Sequence, residues 1–296
     1  MSDVLFVTAG PYTWGSSRMR AYWVAEKMGA SAIEIDNLHN HMEEFSAAKS
    51  VIWQKSVDVE LIESAPEKRH FWDVCDPVWW WSPSEARESA GLMHGIVCSS
   101  PALALDFQCW YTRGLPVSGG TAIHMIPDRL NLDHFPLRQA HADHEPVRFI
   151  WYGVAVNRSA LHGAIINLAR LAANGHKIEL TVFDDRPDVG FQLVNNFPIR
   201  NLEWNLEREN EVISSHDIAL LPDYPGAWGR VKSNNKKLTA AACGLPVTNG
   251  EAYESLLEMV ASASARQIGA DKRRKNLIDF YQIEKSVEDW KRVLDD

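Results

Sequence analysis

Short apolar runs that give way to helical spacing, again and again along one chain, constrain this sequence more than any other feature. The first run is Asp3–Ala9 (DVLFVTA), rich in β-branched and aromatic residues and punctuated by Gly10-Pro11. Ser16-Ser17 then caps a predicted helix over Arg18–Met28, with Met19, Tyr22, Trp23 and Met28 near helical spacing. Further strands are expected at Ser31–Ile35, Ser50–Gln54 and Gly95–Cys98, with Thr121–Ile126 closing this half. Helices are expected at Val57–Glu67, Ser84–Gly91 and Ala102–Tyr111. Residues 137–146 (LRQAHADHEP) are polar and aperiodic, and read as a linker. The alternation then restarts with strands at Val147–Tyr152, Lys177–Phe183, Asp217–Leu221 and Pro246–Thr248. Helices accompany them at Ser159–Ala173, Leu206–Ser215, Asn235–Cys243, Tyr253–Ala263 and Ile283–Leu294. Strands alternating with helices require parallel sheets covered on both faces. The expected fold is therefore α/β, with two doubly wound lobes facing a cleft: residues 1–136 and 147–268, followed by a helical segment, 269–296. In open α/β sheets ligands bind beyond the carboxyl ends of the strands, so the residues that follow each strand are the candidates for chemistry.

Composition removes most other classes. The 296 residues are 46% hydrophobic and 23% charged, enough apolar mass for two modest cores. Cys75, Cys98, Cys109 and Cys243 lie far apart with no C-x-x-C spacing, which supports reduced thiols in the cytoplasm rather than a disulfide framework or a zinc knuckle. No leader and no apolar stretch near the ~18 residues of a membrane span is evident. Thirty Lys+Arg against 39 Asp+Glu give a net charge of −9, so a nucleic-acid role would need a local basic face. Eight of the twelve tryptophans fall within residues 14–110, which predicts an aromatic lining as well as a core in the first half.

Two segments carry chemistry. Lys232–Gly250 (KSNNKKLTAAACGLPVTNG) opens with lysines, a serine and two asparagines before a helix of small residues. Unpaired N–H groups at a helix N-terminus with flanking lysines suit a phosphate, although a solvated helix cap has the same composition. The second is Phe71–Pro77 (FWDVCDP), followed by Trp79-Trp80-Trp81. Asp73 and Asp76 there are candidate catalytic carboxylates, and Trp14, Trp79 and Trp80 candidate acceptor-binding faces; a turn cap and core packing are the alternative roles. Arg18 is expected to face the cleft and Arg20 to make a surface ion pair. Asp184-Asp185-Arg186 follows a strand, where it could read a nucleotide base or simply turn the chain. The pairs His39/His41 and His141/His144 lack completing ligands and no Asp-x-Asp occurs, so no metal is expected.

The run K-S-N-N-K-x-L-x-A-x-A-C-G-L-P-V resembles the donor-site helix of glycosyltransferases built from two Rossmann-like lobes, the GT-B fold, of the group 1 or family 4 type in a short form. Gly10…Trp14-Gly15-Ser16-Ser17-Arg18-Met19-Arg20 is similar to that family's first glycine loop, and Ser50–Lys55 (SVIWQK) to one of its strands. Cys98-Ser99-Ser100-Pro101 and Ile126-Pro127-Asp128…Asp133-His134-Phe135 resemble the end of its first lobe. The order of these motifs over residues 4–260 carries the resemblance. It departs in two places. Thr239 stands where the family has a glutamate, and Gly153–Arg158 (GVAVNR) replaces a Gly-Arg opening, with Arg158 a displaced substitute. The resemblance implies a cytoplasmic, metal-independent, retaining hexosyl- or pentosyltransferase with a nucleotide sugar as co-substrate. Its donor residues would be Gly10, Gly15, Arg18, Gly153, Asn157, Arg158, Asp185, Lys232, Ser233, Asn234, Asn235, Lys236 and Thr239. The acceptor would be a glycan, a small molecule or a modified DNA base; the rival reading is a binding protein that kept the lobes and lost the chemistry. The family's terminal helix commonly returns to the first lobe. Val287, Trp290 and Val293-Leu294 form an apolar stripe that fits this, with the charged stretch Asp271–Asn276 bridging the cleft.

Overall fold

The computed structural model describes residues 3–113, 121–135, 140–189 and 196–295. The chain divides into two compact units: Met1–Asn131 with Arg230–Ser233 and Tyr281–Asp296, and Leu132–Gly229 with Asn234–Phe280.

The first unit holds six strands, β1 (Val4–Thr8), β2 (Ser31–Glu34), β3 (Ser50–Gln54), β4 (Arg69–Val74), β5 (Gly95–Cys98) and β6 (Ala122–Met125). They form one parallel sheet in the order β2-β1-β3-β4-β5-β6. The central strands are buried on both faces, so they read as continuous apolar runs rather than alternating ones. Leu5, Val7, Val51, Trp53, Trp72, Val74 and Ile96 fill one side with Leu103 and Phe107 of the helix Pro101–Tyr111. That helix starts sharply because Ser100 accepts from Leu103 N and Pro101 needs no N–H donor. The helix predicted over Arg18–Met28 is broken into α (Gly15–Ser17), π (Arg18–Tyr22) and α (Trp23–Met28) segments. The wider π turn rotates the side chains of its residues relative to α spacing.

The second unit holds β7 (Val147–Gly153), β8 (Ile178–Asp184), β9 (Ile199–Glu203), β10 (Ile218–Leu220) and β11 (Val247–Thr248), parallel in the order β11-β10-β7-β8-β9. Leu161, Ala164, Ile165, Leu168 and Leu171 give the helix Leu161–Ala173 a buried stripe against this sheet.

Three boundaries differ from those expected. The division falls after Asn131, ahead of residues 137–146, of which 137–139 lie outside the described residues. Residues 141–143 are bound into the second unit, where His141 N donates to Gln267, Arg266 donates to Ala142 O, and Asp143 accepts from Ala263 N. The segment 269–296 does not act as one piece. The helix Ala263–Phe280, which contains the charged stretch Asp271–Asn276, stays with the second unit; the helix Ile283–Asp295 belongs to the first. There Leu130 and the 281–283 backbone exchange hydrogen bonds, and Trp290 packs edge-on against Phe6 of β1.

Candidate functional site

In the first unit the polar residues gather after β1, β3, β4 and β5. Asp76, two residues past β4, accepts from Lys55 Nζ on Oδ2 at 2.6 Å and from Lys232 Nζ on Oδ1 at 2.5 Å. Lys55 takes a left-handed backbone, φ +66°, fixed by its N–H donating to Asp73 O and by Trp72 Nε1 donating to its carbonyl at 2.8 Å. Burial opposes ionisation of Asp76, but the two ammonium groups outweigh it and hold its carboxyl below the usual 3.8. With both oxygens occupied by cations, Asp76 is suited to holding charge more than to accepting a proton. Because its folded pKa is depressed, its pairing stabilises the fold above the ordinary aspartate pKa and is lost as pH falls through the lower folded value. The wild type should therefore lose more melting temperature than Asp76→Asn between pH 5 and 3 (roughly, from the aspartate reference value); parallel pH–melting curves would refute the pairing.

Asp73 is corrected from catalytic to structural. It is 0% exposed, and Arg20 holds it with Nε at 2.8 Å and with Nη2. Arg20 Nη1 continues to Asp128 Oδ1 at 2.8 Å and Ile126 O at 2.9 Å, so its ion pair is buried rather than at the surface. Burial works against the Arg20 charge, and the two aspartates more than restore it. Arg18 does not reach into the open either: it is buried, donating to Tyr12 O and Thr13 O and lying against the Tyr12 and Trp23 rings. It therefore props the loop that runs from Gly10 to Gly15. Within that loop a Cβ on Gly10 would come 2.5 Å from the Trp14 ring, which explains the glycine; Gly15 opens the short helix and has open space around it.

Of the predicted acceptor aromatics, Trp14 and Trp80 are exposed and Trp79 is not. Trp79 is 1% exposed, stacked on Trp110, and donates to Asp106 at 2.7 Å, so it is core. Trp80 also donates to Asp106, which fixes its ring at the surface beside the exposed Trp81.

In the second unit the helix Asn235–Ala242 begins near the carboxyl end of β7. Lys236 Nζ donates to Tyr224 OH at 2.7 Å and lies over the Trp151 and Tyr224 rings. Burial pushes the Tyr224 phenol up to about 12, so it stays neutral. Gly153, φ +156°, is required here: a Cβ would meet Lys236 Nζ at 2.4 Å. Tyr152 OH donates to Lys236 O, and Asn235 Oδ1 accepts from Lys236 N. Ala240 and Ala242 are fully buried, as small residues must be for this helix to lie close on the sheet. Thr239 is buried too, which leaves its hydroxyl poorly placed to replace a longer glutamate.

The remaining donor candidates separate. Arg158 is not a substitute for the missing arginine, because its fork is occupied by both Asp184 oxygens and by Arg186 O. Asp185 caps the turn after β7 by accepting from Ala155 N at 2.7 Å, and Asn157 sits half-buried in that turn. Lys232 and Ser233 belong to the first unit, whereas Asn234, Asn235 and Lys236 belong to the second. Lys55, Arg20, Asp128 and Tyr224 complete these clusters and were not singled out as ligands from the sequence; the left-handed Lys55 leaves no signal in composition. Among the described residues, no three His, Cys, Asp or Glu side chains are grouped to hold a metal, and no helix is long and apolar enough to cross a membrane.

No protein-family model and no curated protein matches the chain. Solved structures do. An α-glucosyltransferase in complex with UDP-glucose and DNA containing an abasic site aligns over 94% of this chain and 95% of its own, with TM-score 0.63 and 11% identity. The spinosyn forosaminyltransferase SpnP aligns over 99% of both chains, with TM-score 0.51 and 13% identity. The α,α-trehalose 6-phosphate synthase from Burkholderia multivorans aligns over 95% of this chain and 79% of its own, with TM-score 0.54 and 10% identity. At these identities the likeness is one of architecture, and with two parallel sheets each wound by helices the chain has the GT-B fold.

Proposed function

We propose that this chain is a glycosyltransferase that moves a sugar from a nucleoside-diphosphate sugar to an acceptor hydroxyl, without a metal and with retention of configuration. The observation that carries the reading is Lys236 at the start of the helix Asn235–Ala242, held by Tyr224 in the notch that Gly153 leaves open. A departing diphosphate develops negative charge, and backbone N–H groups at a helix N-terminus with an ammonium beside them stabilise it where it forms. Tyr152 fixes the first turn from below, so these donors need no rearrangement as the bond breaks. Retention rests on the resemblance of Lys232–Gly250 to the family's donor segment.

The test is a thermal-shift panel of UDP, GDP, ADP, CMP and their sugars, followed by calorimetry on the ligand that stabilises the fold. Lys236→Ala should weaken that ligand by about tenfold or more, the loss of one charge-assisted hydrogen bond at about 1.5–3 kcal/mol. Gly153→Ala should weaken it as well, because its methyl displaces the ammonium. No response to any nucleotide at millimolar concentration would overturn the reading. Nucleotide-sugar binding without turnover over an acceptor panel would instead favour the binding protein, which Thr239 and the occupied Arg158 motivate.

One observation favours a modified DNA base as acceptor: a structure aligned over nearly its full length is an α-glucosyltransferase bound to DNA. The net charge of −9 opposes it. Retardation of a DNA duplex at low salt, lost on raising the salt, decides the point.

A further inference from the structure

The first unit carries a group of indoles around one carboxylate that the donor site does not use. The chain leaves β4 through the turn Val78–Trp80, and Asp106 stands in the helix Pro101–Tyr111 that follows the neighbouring strand β5. Both segments thus continue from the carboxyl ends of strands, where this class of sheet presents its ligands. Asp106 Oδ2 accepts from Trp79 Nε1 at 2.7 Å and from Trp80 Nε1 at 2.8 Å. Trp79 by itself ties the turn to the helix, since it is buried, stacks on Trp110 and meets Phe107 edge-on with centroids 5.0 Å apart. The bond from Trp80 has a different effect: that ring is 38% exposed, so the bond orients an indole at the surface. Trp81, next in the chain, is 55% exposed, and Leu105, just before Asp106, is 62% exposed.

Asp106 selects what such rings can hold. Its Oδ1 accepts from no described residue and is not among the buried unpaired polar atoms, so solvent reaches it. Oδ1 shares a carbon with Oδ2 and therefore lies at the rim of the Trp80 indole. A carboxylate oxygen accepts hydrogen bonds and donates none, and its charge repels phosphates, which sets it against a nucleic acid. A wholly apolar partner would strip water from the same oxygen and return no donor. A neutral sugar ring meets both demands, with a face of C–H groups for the electron-rich indoles and a rim of hydroxyls for the carboxylate. Because Trp80 is already oriented, little side-chain freedom is lost when a ring stacks on it.

We propose that Trp80, Trp81 and the open oxygen of Asp106 seat a neutral sugar ring of the acceptor, with its C–H face on the indoles and a hydroxyl donating to Oδ1. The role as acceptor rests on the transferase reading; the binding of the sugar does not. The seated ring anchors a glycan whose reacting hydroxyl lies elsewhere on the same molecule.

Maltotriose, cellotriose and xylotriose are the probes. Their binding to the full chain is read from the indole N–H signals in proton–nitrogen correlation spectra, with Trp80→Phe and Trp81→Phe assigning two of the twelve. At least one trisaccharide at millimolar concentration should shift both signals saturably. Asp106→Asn keeps an oxygen for the two indoles but turns an amide donor outward, so it should weaken that sugar at least fivefold. Trp81→Ala removes an exposed ring and should weaken it as much. No shift of either signal by any of the three probes, or equal sugar affinity in wild type and either variant, overturns the seat. Shifts of the same signals by a single-stranded oligothymidylate, with none by the trisaccharides, assign the rings to nucleobases and overturn it as well. These titrations contain no nucleotide, so their outcome is separate from that of the transferase reading. With a donor identified, Trp81→Ala should raise KM for the bound trisaccharide at least fivefold and change kcat less than twofold. An unchanged KM, or no transfer to the sugar that binds, overturns the acceptor role.

Discussion

Replacing Arg20 by methionine should destabilise the first unit by about 3–5 kcal/mol, because it strands two buried carboxylates. Asp73 and Asp128 are both buried, and the guanidinium satisfies them together with the carbonyl of Ile126. Methionine fills much of the volume but offers no donor. Burial already raises the Asp73 carboxyl against the pull of Arg20, so without the guanidinium its folded pKa moves further above the unfolded one and its neutral form is favoured. For groups shifted in that direction, stability is present at low pH and lost as pH rises. The deficit of Arg20→Met relative to wild type should accordingly be largest at neutral pH and shrink toward pH 4, roughly the aspartate reference value. Urea titration followed by tryptophan fluorescence measures it well, since nine of the twelve tryptophans lie in the first unit and three in the second. A deficit under about 1 kcal/mol, the scale of an exposed pair, would mean that the cluster is not the anchor described here.

The Arg20 cluster also marks where reading the sequence stops. Strands such as Ser50–Gln54 and Gly95–Cys98 fall where their composition places them, because a strand buried on both faces must be apolar throughout. Ile199–Glu203 (IRNLE) escapes that logic as an edge strand of mixed polarity, half of it facing solvent. The helix Ala263–Phe280 escapes it as well, since charges lie around most of its circumference and leave only Ala263, Arg266, Ala270 and Leu277 buried. In the candidate site, Asp76 and Lys236 stand out because a carboxylate after a strand and a lysine before a small-residue helix are local patterns. Their partners are not local. Lys55 meets Asp76 because β3 lies beside β4, and Arg20 meets Asp128 across the sheet, relations fixed by strand order and not by spacing. Arg18 and Arg20, expected at the cleft and at the surface, are both buried, in a π turn that runs through both residues and that their sequence does not announce.

Trp290→Ala should cost the first unit about 3–5 kcal/mol, the range for truncating a buried aromatic residue. The indole is 1% exposed and meets the Phe6 ring edge-on, with centroids 5.8 Å apart and planes at 86°. It lies on one stripe with Ile283, Val287 and Val293, so the helix Ile283–Asp295 turns a buried apolar face to the first sheet at Phe6. Polar contacts hold the helix in register: Arg129 pairs with Asp289 and donates to Ser286, and Arg69 donates to Leu294 O. Removing residues 281–296 altogether therefore takes away an apolar cover and three anchors at once. The shortened chain should lose the native fluorescence of the first unit, while circular dichroism retains the second unit's share of helix and strand. The point variant separates stability from donor binding. Nucleotide affinity measured well below its transition should match wild type, because Lys236, Tyr224 and Gly153 belong to the other unit. A Trp290→Ala chain that unfolds within about 1 kcal/mol of wild type would show that the cavity collapses without penalty and that the terminal helix is not structural.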